Sequence, residues 1–428
     1  MNASSTSRNA VGPAETIRGG VNVFGWPRDV SSAERTTLVA GGLGWMLDAM
    51  DVMLYSIVLA YLIPELGISK STGGLLNSLT LVASAIGGLL FGVIADRIGR
   101  KRALMLSIAA YSVSSLACGF SQSISQLAVS RFVLGLGMGG EWATGAALIA
   151  ETWRAEHRGK ALGIMQSAYA IGEALAALVV MLVYPHFGWR AVFFVGVAPA
   201  LLVLWIQRKV PEPALWTKRQ SAAKSGVPLR TLLTPEVRRS GAIATLMNAC
   251  SMFGYWGLFT WIPSYLALPV SLGGRGLSLV PATGFFWVLC VGKWFGYALF
   301  GFFGDRFGRR KPYFTYLLVA ALLVPIYGTV SGRLWLLLLG PLVAFFGTGF
   351  FSGYAAIASE IFPGEIRAAA MGFSYNIGRG FSAAAPFLVG ALGMRYGLGP
   401  AFLVLAAAFF AAAMLALALP ETRGRELT

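Results

Sequence analysis

Long apolar stretches alternate with short polar connections along almost the whole chain. A helix needs ~20 apolar residues to cross the hydrocarbon core of a bilayer, and the stretches approach that length. They predict twelve transmembrane helices in two groups of six. The first six spans are predicted at Leu38–Leu62, Gly73–Ala95, Ala103–Phe120, Leu127–Ala150, Ala161–Tyr184 and Ala191–Gln207. The second six are predicted at Gly241–Ala267, Thr283–Phe303, Tyr313–Ser331, Leu334–Ile357, Ala368–Met394 and Pro400–Leu419.

The polar segments divide the chain into five predicted regions. These are an N-terminal tail (1–37), a six-helix bundle (38–207), a central loop (208–240), a second six-helix bundle (241–419) and a C-terminal tail (420–428). The N-terminal tail has no apolar core followed by a cleavage site, so it is interpreted as a cytoplasmic tail and not as a signal peptide.

Composition and charge agree with a membrane protein. Of 428 residues, 56% are hydrophobic and 12% are charged, whereas soluble domains carry about a quarter charged residues. The net charge of +16 comes largely from Lys and Arg in alternate loops and the tails. Basic loops stay in the cytoplasm, so we expect a cell-membrane protein with both termini inside. The charge therefore does not indicate a nucleic-acid partner.

Enzyme chemistry is not predicted. Cys118, Cys250 and Cys290 lie in apolar stretches without paired spacing, and His157 and His186 lie in different loops. These patterns predict neither a disulfide framework nor a metal site. No nucleophile–base spacing or nucleotide loop is present, and the glycines between Gly135 and Gly139 more plausibly allow close helix packing. We expect no cofactor apart from a coupling proton.

The two predicted bundles repeat each other. Gly-Val-Ile-Ala-Asp-Arg-Ile-Gly-Arg-Lys, beginning at Gly92, recurs in similar form at Gly301, 209 residues further on. A second loop repeats at the same offset. The paired positions are Asp96 and Asp305, Arg100 and Arg309, Glu151 and Glu360, and Arg158 and Arg367. Parallel halves with a site between them are a transporter architecture.

This doubled loop resembles the signature loops of the major facilitator superfamily. The resemblance implies the major facilitator fold, in which such loops latch the halves through charge pairs. The eight paired positions above are therefore the predicted conformational latch. Simple anchoring by basic residues is the alternative, but it would not require the aspartates.

Other segments resemble one branch of that superfamily, the proton-coupled symporters of aromatic acids, sialic acid and monocarboxylates. They are Asp48–Asp51, Arg131–Trp142, Glu151–Lys160 and Tyr375–Gly378. The Pro420-Glu421-Thr422 ending is shared with sugar porters, but the segment from Asn248 to Pro263 lacks their Gln-Leu-Ser pattern.

Ionisable residues lie well inside the predicted spans, where each costs roughly 2.5–3.5 kcal/mol on insertion scales. They are Asp48, Asp51, Arg131, Glu141, Glu173, Lys293 and Arg379. The first half supplies the acids and the second half supplies bases alone. An acidic wall in low dielectric favours proton binding, and a basic wall favours an anion. We therefore expect a cavity at the membrane midplane.

Proton coupling is predicted at Asp48, Asp51, Arg131 and Glu141. The resemblance implies that Asp51 pairs with Arg131 and titrates, with a permanent ion pair as the alternative. Glu141 has the alternative of satisfying a polar group on a neighbouring helix. Glu173 is either a relay or a structural partner.

Substrate binding is predicted at Lys293 and Arg379, with pairing to Asp48, Glu141 or Glu173 as the alternative. The predicted uncharged lining residues are Gln166, Tyr169, Asn248, Tyr255, Tyr375 and Asn376. The resulting hypothesis is a monomeric, proton-coupled symporter of a small carboxylate that works by alternating access in the lipid bilayer. Alternatives are proton-antiport efflux, sugar or polyol symport, and a sensor that does not transport.

Overall fold

The computed structural model describes residues 30–213, 235–362 and 367–421. These ranges are almost entirely helical and contain no strand. The helices of the first half are α1 (Ser32–Leu66), α2 (Lys70–Ile98), α3 (Arg100–Phe120), α4 (Ile124–Thr152), α5 (Ala155–Val195) and α6 (Pro199–Lys209). Those of the second half are α7 (Pro235–Ala267), α8 (Leu279–Phe307), α9 (Arg310–Thr329), α10 (Arg333–Thr348), α11 (Phe350–Ile361), α12 (Arg367–Ser382), α13 (Ala384–Tyr396), α14 (Leu398–Ala401) and α15 (Leu403–Leu417). The all-α prediction is confirmed.

Ten stretches of the described residues are long and apolar enough to cross a membrane. One of them, Ala161–Lys209, has 49 residues, about twice what a single crossing requires. It contains Gly188, whose φ of 71° and ψ of −179° interrupt the helix between the predicted fifth and sixth spans. Length and apolarity alone do not fix the number of crossings, so twelve stays a prediction.

The first helix begins six residues before its predicted span because a capping box starts it. The amide of Glu34 donates to Ser31 Oγ at 3.1 Å, and the amide of Ser31 donates to Glu34 Oε2 at 2.9 Å. This reciprocal pair satisfies two amides of the first turn. Glu34 Oε1 also accepts from Arg154 Nε at 3.0 Å, which ties the start of α1 to the connection between α4 and α5.

The sequence repeat has a direct structural counterpart in two turns. Gly99 joins α2 to α3 with φ of 105°, and Gly308 joins α8 to α9 with φ of 92°. L-residues with a side chain rarely adopt such angles, which explains glycine at both positions. An ion pair follows each turn. The pairs are Arg100 Nη2–Glu151 Oε1 at 2.9 Å and Arg309 Nε–Glu360 Oε1 at 3.1 Å.

The other four predicted latch positions cannot be compared with the structure. The side chains of Asp96, Arg158, Asp305 and Arg367 are not among those that the structure describes. The two ion pairs that are described each join helices of one half. They therefore hold each half together, and the predicted latch between the halves stays a prediction.

A further pair of repeated residues was missed in the sequence. Glu212 follows the last helix of the first half, and its carboxylate accepts from the amide of Lys101 at 3.1 Å. Glu421 follows the last helix of the second half and accepts from the amides of Arg309 and Arg310 at 2.7 and 3.2 Å. A carboxylate at a helix N-terminus is stabilised by the unpaired amides there. The offset is again 209 residues, so this signal was available in the sequence.

Glycines let helices of the first half approach closely. A Cβ on Gly135 of α4 would overlap the carbonyl of Thr80 in α2, and one on Gly139 would overlap the carbonyl of Ser84. Small residues at helix crossings in membranes serve this purpose. The observation agrees with the packing interpretation of this glycine run.

The two halves meet along α1 and α7, α5 and α8, and α2 with both α12 and α13. At one end of this seam, Lys70 Nζ donates to the carbonyl of Gly393 at 3.0 Å. One turn further, Gly74 packs so closely on Pro386 that a Cβ would overlap the Pro386 carbonyl. The seam is therefore closed at this Lys70 end by contacts to backbone atoms.

We expect Gly74→Val to prevent this closure, because the added side chain would collide with backbone that cannot move aside. Transport should fall at least about tenfold, while each half still folds. Uptake into proteoliposomes and thermal unfolding in detergent measure the two effects. Gly284→Val is the matched control, since a Cβ there meets no atom within 4 Å. Full transport by Gly74→Val would show that the seam need not close at this point.

Candidate functional site

A cavity lies between the two halves, and both contribute to its wall. It encloses about 220 Å³ not occupied by protein atoms, including the part open to solvent. The first half supplies α1 and α5, and the second supplies α7, α8, α11 and α12. The lining residues are Trp45, Gln166, Tyr169, Tyr255, Trp256, Tyr297, Phe351, Tyr375 and Arg379. A solute held here would touch both halves at once.

Arg379 is the charged residue of this lining. Its side chain is buried, and Nη1 donates to Ser84 Oγ across the seam at 2.7 Å. Its Nε has no hydrogen-bond partner among the described residues. The guanidinium also lies near Tyr375, with Cζ 5.3 Å from the ring centroid. Arg379 thus keeps donor capacity for an anion, and its role as a carboxylate contact stays a prediction.

Asp48 and Glu141 are two acids that interact electrostatically with Arg379. Both are fully buried, and none of their carboxyl oxygens has a hydrogen-bond partner in the part of the chain that the structure describes. The Arg379 charge attracts both carboxyls, while the two carboxyls repel each other. Glu141 Oε1 lies against Gly44 of α1, where a Cβ would overlap it. Two acids of the predicted coupling group therefore interact electrostatically with the arginine of the predicted anion site.

Asp51 and Arg131 differ from the pairing that the resemblance implies. Asp51 Oδ1 accepts from Ser115 Oγ at 3.1 Å. Arg131 Nη2 donates to Asn77 Oδ1 at 2.9 Å, and its Cζ lies 4.1 Å from the ring centroid of Tyr55. No ion pair between Asp51 and Arg131 occurs among the described residues. An amide and an aromatic face occupy the guanidinium instead.

Asn77 carries this polar contact across the seam. While its Oδ1 accepts from Arg131, its Nδ2 donates to Thr260 Oγ1 of α7 at 2.7 Å. All three side chains are buried. A chain of hydrogen bonds therefore links the acid-containing half to the other half.

Lys293 lies outside the cavity lining, in contrast to its predicted role as an anion contact. Its Nζ lies 2.6 Å from Glu173 Oε1, and both side chains are completely buried. Tyr255 donates to the same oxygen at 3.3 Å, and the ring of Phe259 lies 3.6 Å from Nζ. A buried ammonium requires such a partner because an isolated charge is costly there. In this structure Glu173 is that partner, one of the alternatives left open in the sequence.

The predicted uncharged lining residues divide into two groups. Those found in the cavity wall are Gln166, Tyr169, Tyr255 and Tyr375. Asn376 and Asn248 are not part of the wall. Asn376 Nδ2 donates to the carbonyl of Gly372 at 2.9 Å, and Asn248 Nδ2 lies 3.8 Å from Met252 Sδ. Both amides contact their own helix.

Several aromatic residues of the wall were not predicted as site residues. They are Trp45, Trp256, Tyr297 and Phe351. Spacing offered a signal for two of them, since Trp45 precedes Asp48 by three residues and Tyr297 follows Lys293 by four. Positions three or four apart share a helix face. In addition, Tyr375 stacks on Trp142 across the seam, with centroids 4.3 Å apart and planes 6° apart.

Comparison with known proteins gives two close relatives over nearly the whole chain. The "Probable 4-methylmuconolactone transporter" of Cupriavidus pinatubonensis is 34% identical over 416 residues, covering 94% of each chain. The "Cis,cis-muconate transport protein" of Acinetobacter baylyi is 31% identical over 383 residues, covering 86% of this chain and 90% of that protein.

A solved structure shares the fold. The inward-open conformation of the xylose transporter XylE from E. coli matches with a TM-score of 0.75 at 20% identity, covering 92% of this chain and 98% of that one. The family model of the Major Facilitator Superfamily matches residues 42–295 and 281–427. These findings confirm a multi-pass membrane transport protein and not an enzyme. The chain belongs to the Major Facilitator Superfamily.

Proposed function

We propose that the protein carries a small organic anion across the membrane together with protons, by alternating access of its two halves. The observation that carries this proposal is the position of Arg379. Its guanidinium lines a cavity between the halves, and its Nε has no partner among the described residues. Two buried acids that also lack hydrogen bonds within the described part of the chain interact with its charge.

Charge balance supports coupling to protons. The buried carboxyls are Asp48, Asp51, Glu141 and Glu173, and the buried bases of the same region are Arg131, Lys293 and Arg379. Carboxyls exceed bases by one, so neutrality requires one bound proton. An incoming carboxylate adds a further negative charge and favours a second proton. Because net charge in a low-dielectric interior is costly, anion and proton binding reinforce each other, which favours symport.

The wall of the cavity supports a solute with a flat, conjugated part. Aromatic rings form most of the wall around Arg379, which suits a ring or a conjugated chain that ends in a carboxylate. The relatives named for methylmuconolactone and muconate agree with this chemistry.

The proposed orientation places both termini in the cytoplasm of the cell membrane. The Lys70 end of the seam then faces outwards, and its contacts close that side. Solute in the cavity would exchange with the cytoplasm in this conformation.

We expect Arg379→Gln to raise the half-saturation concentration for a transported carboxylate by about 10- to 100-fold, because a charge-assisted hydrogen bond to the solute is lost. Arg379→Lys should be less affected, since it keeps the charge but not the bidentate geometry. Concentration-dependent uptake in proteoliposomes gives the values, and Arg333→Gln, an exposed site, is the control. Unchanged affinity in Arg379→Gln would place the anion elsewhere.

We expect Asp48→Asn and Glu141→Gln each to abolish accumulation driven by a pH gradient while leaving solute exchange at equilibrium. Each change removes a site where a proton compensates the charge of the incoming anion. Gradient-driven uptake and counterflow are compared in the same proteoliposomes. The exposed Glu65 provides the control Glu65→Gln. Gradient-driven uptake that persists in both variants would contradict a coupling role for these acids.

We expect Glu173→Gln and Lys293→Gln to be destabilising one at a time, by about 3–5 kcal/mol, because each leaves a buried charge unpaired. The double variant should regain stability and bind the solute with wild-type affinity, since Lys293 is neutralised and lies outside the cavity wall. Thermal unfolding and uptake separate the two effects. A double variant that is stable but has lost solute affinity would return Lys293 to the anion site.

A further inference from the structure

The cavity wall holds more hydrogen-bond donors than the structure uses. Trp45 Nε1, Trp256 Nε1, the Tyr169 hydroxyl and Arg379 Nε are buried, and none has a partner among the described residues. The four side chains are at most 5% exposed, and all four line the cavity. A buried donor without a partner is costly, so such groups mark positions that a ligand completes.

The chemistry of these four buried donors indicates which kind of group would complete them. An indole N–H and a guanidinium N–H donate and cannot accept. Asp48 and Glu141 do not serve as their partners, since those carboxyl oxygens have no partner among the described residues either. Acceptor groups of a bound solute would complete these donors.

The positions of the two indoles indicate more than one acceptor. Trp45 belongs to α1 of the first half, and Trp256 belongs to α7 of the second half. Arg379 belongs to α12 and is the cation that a carboxylate would bind. A solute with one acceptor group at Arg379 and a second acceptor group at the indoles would complete the donors of both.

We propose that the transported solute carries, besides the carboxylate bound by Arg379, a second acceptor oxygen that is bound by the indole N–H groups of Trp45 and Trp256. The class is a small unsaturated or aromatic acid with a hydroxyl, carbonyl or second carboxylate group away from the first. This inference rests on the proposed function and narrows its substrate. A solute with acceptors at both ends contacts both halves, so its binding favours the conformation in which they approach each other.

The test compares matched pairs of acids that differ only in the second acceptor. Suitable pairs are 2,4-hexadienoate with its dicarboxylate, hexa-2,4-dienedioate, and benzoate with 3- and 4-hydroxybenzoate. Uptake and competition are measured in proteoliposomes with wild-type protein. We expect the acid with the second acceptor to be preferred by about tenfold or more in at least one pair, because the other acid leaves a buried donor unpaired.

Trp45→Phe and Trp256→Phe then remove the N–H but keep an aromatic ring. We expect each substitution to reduce the preference by about tenfold, because it weakens the binding of only the acid that has the second acceptor. The preference is the ratio of the uptake of the two acids of a pair by one variant. A misfolded fraction of that variant lowers the uptake of both acids equally, so the ratio does not change. Trp335→Phe, at an exposed tryptophan, is the control and should keep the wild-type ratio.

Two failures are distinguishable. Equal uptake of both members of every pair, or a preference unchanged in both indole variants, overturns this inference and leaves carboxylate transport intact. No uptake or competition by any acid of the panel overturns the proposed function and this inference with it.

Discussion

A charge inside the hydrocarbon layer is stable only when another charge, a proton or a strong dipole compensates it. The interior of this protein follows that constraint in three ways. Lys293 and Glu173 form an ion pair, Arg131 donates to the Asn77 amide and lies against the Tyr55 ring, and Arg379 keeps donor capacity and interacts electrostatically with two acids. The Lys293–Glu173 pair joins α5 to α8 and therefore stabilises the contact between the two halves. Arg379 instead lines the cavity.

The architecture could be predicted well from the sequence because each apolar stretch and each repeated position along the chain supports the same arrangement. Apolar length gives spans, and a constant offset of 209 residues gives two related halves. The same offset extends to Glu212 and Glu421, which sequence reasoning left unpaired. Helix ends were less accurate, as at Ser31, where a capping box extends α1 beyond the apolar stretch.

The site was predicted by depth and helix face, but not by partner. Spacing correctly indicates that Asp48 lies midway along its helix, whereas Arg379 lies in the last turn of α12. It cannot tell which side chain of another helix meets Lys293, because that depends on the rotation and offset of α5 against α8. Nor does it separate buried wall tryptophans such as Trp45 from exposed ones such as Trp335, since both lie in apolar stretches of the sequence.

The carboxylates after the last helix of each half show how far the internal repeat of the chain extends. Glu212 bonds back to the start of α3, and Glu421 bonds back to the start of α9. Each bundle is thereby fastened by a residue beyond its final transmembrane segment. The repeated unit of the chain therefore includes this glutamate and extends beyond the membrane-spanning part of each half.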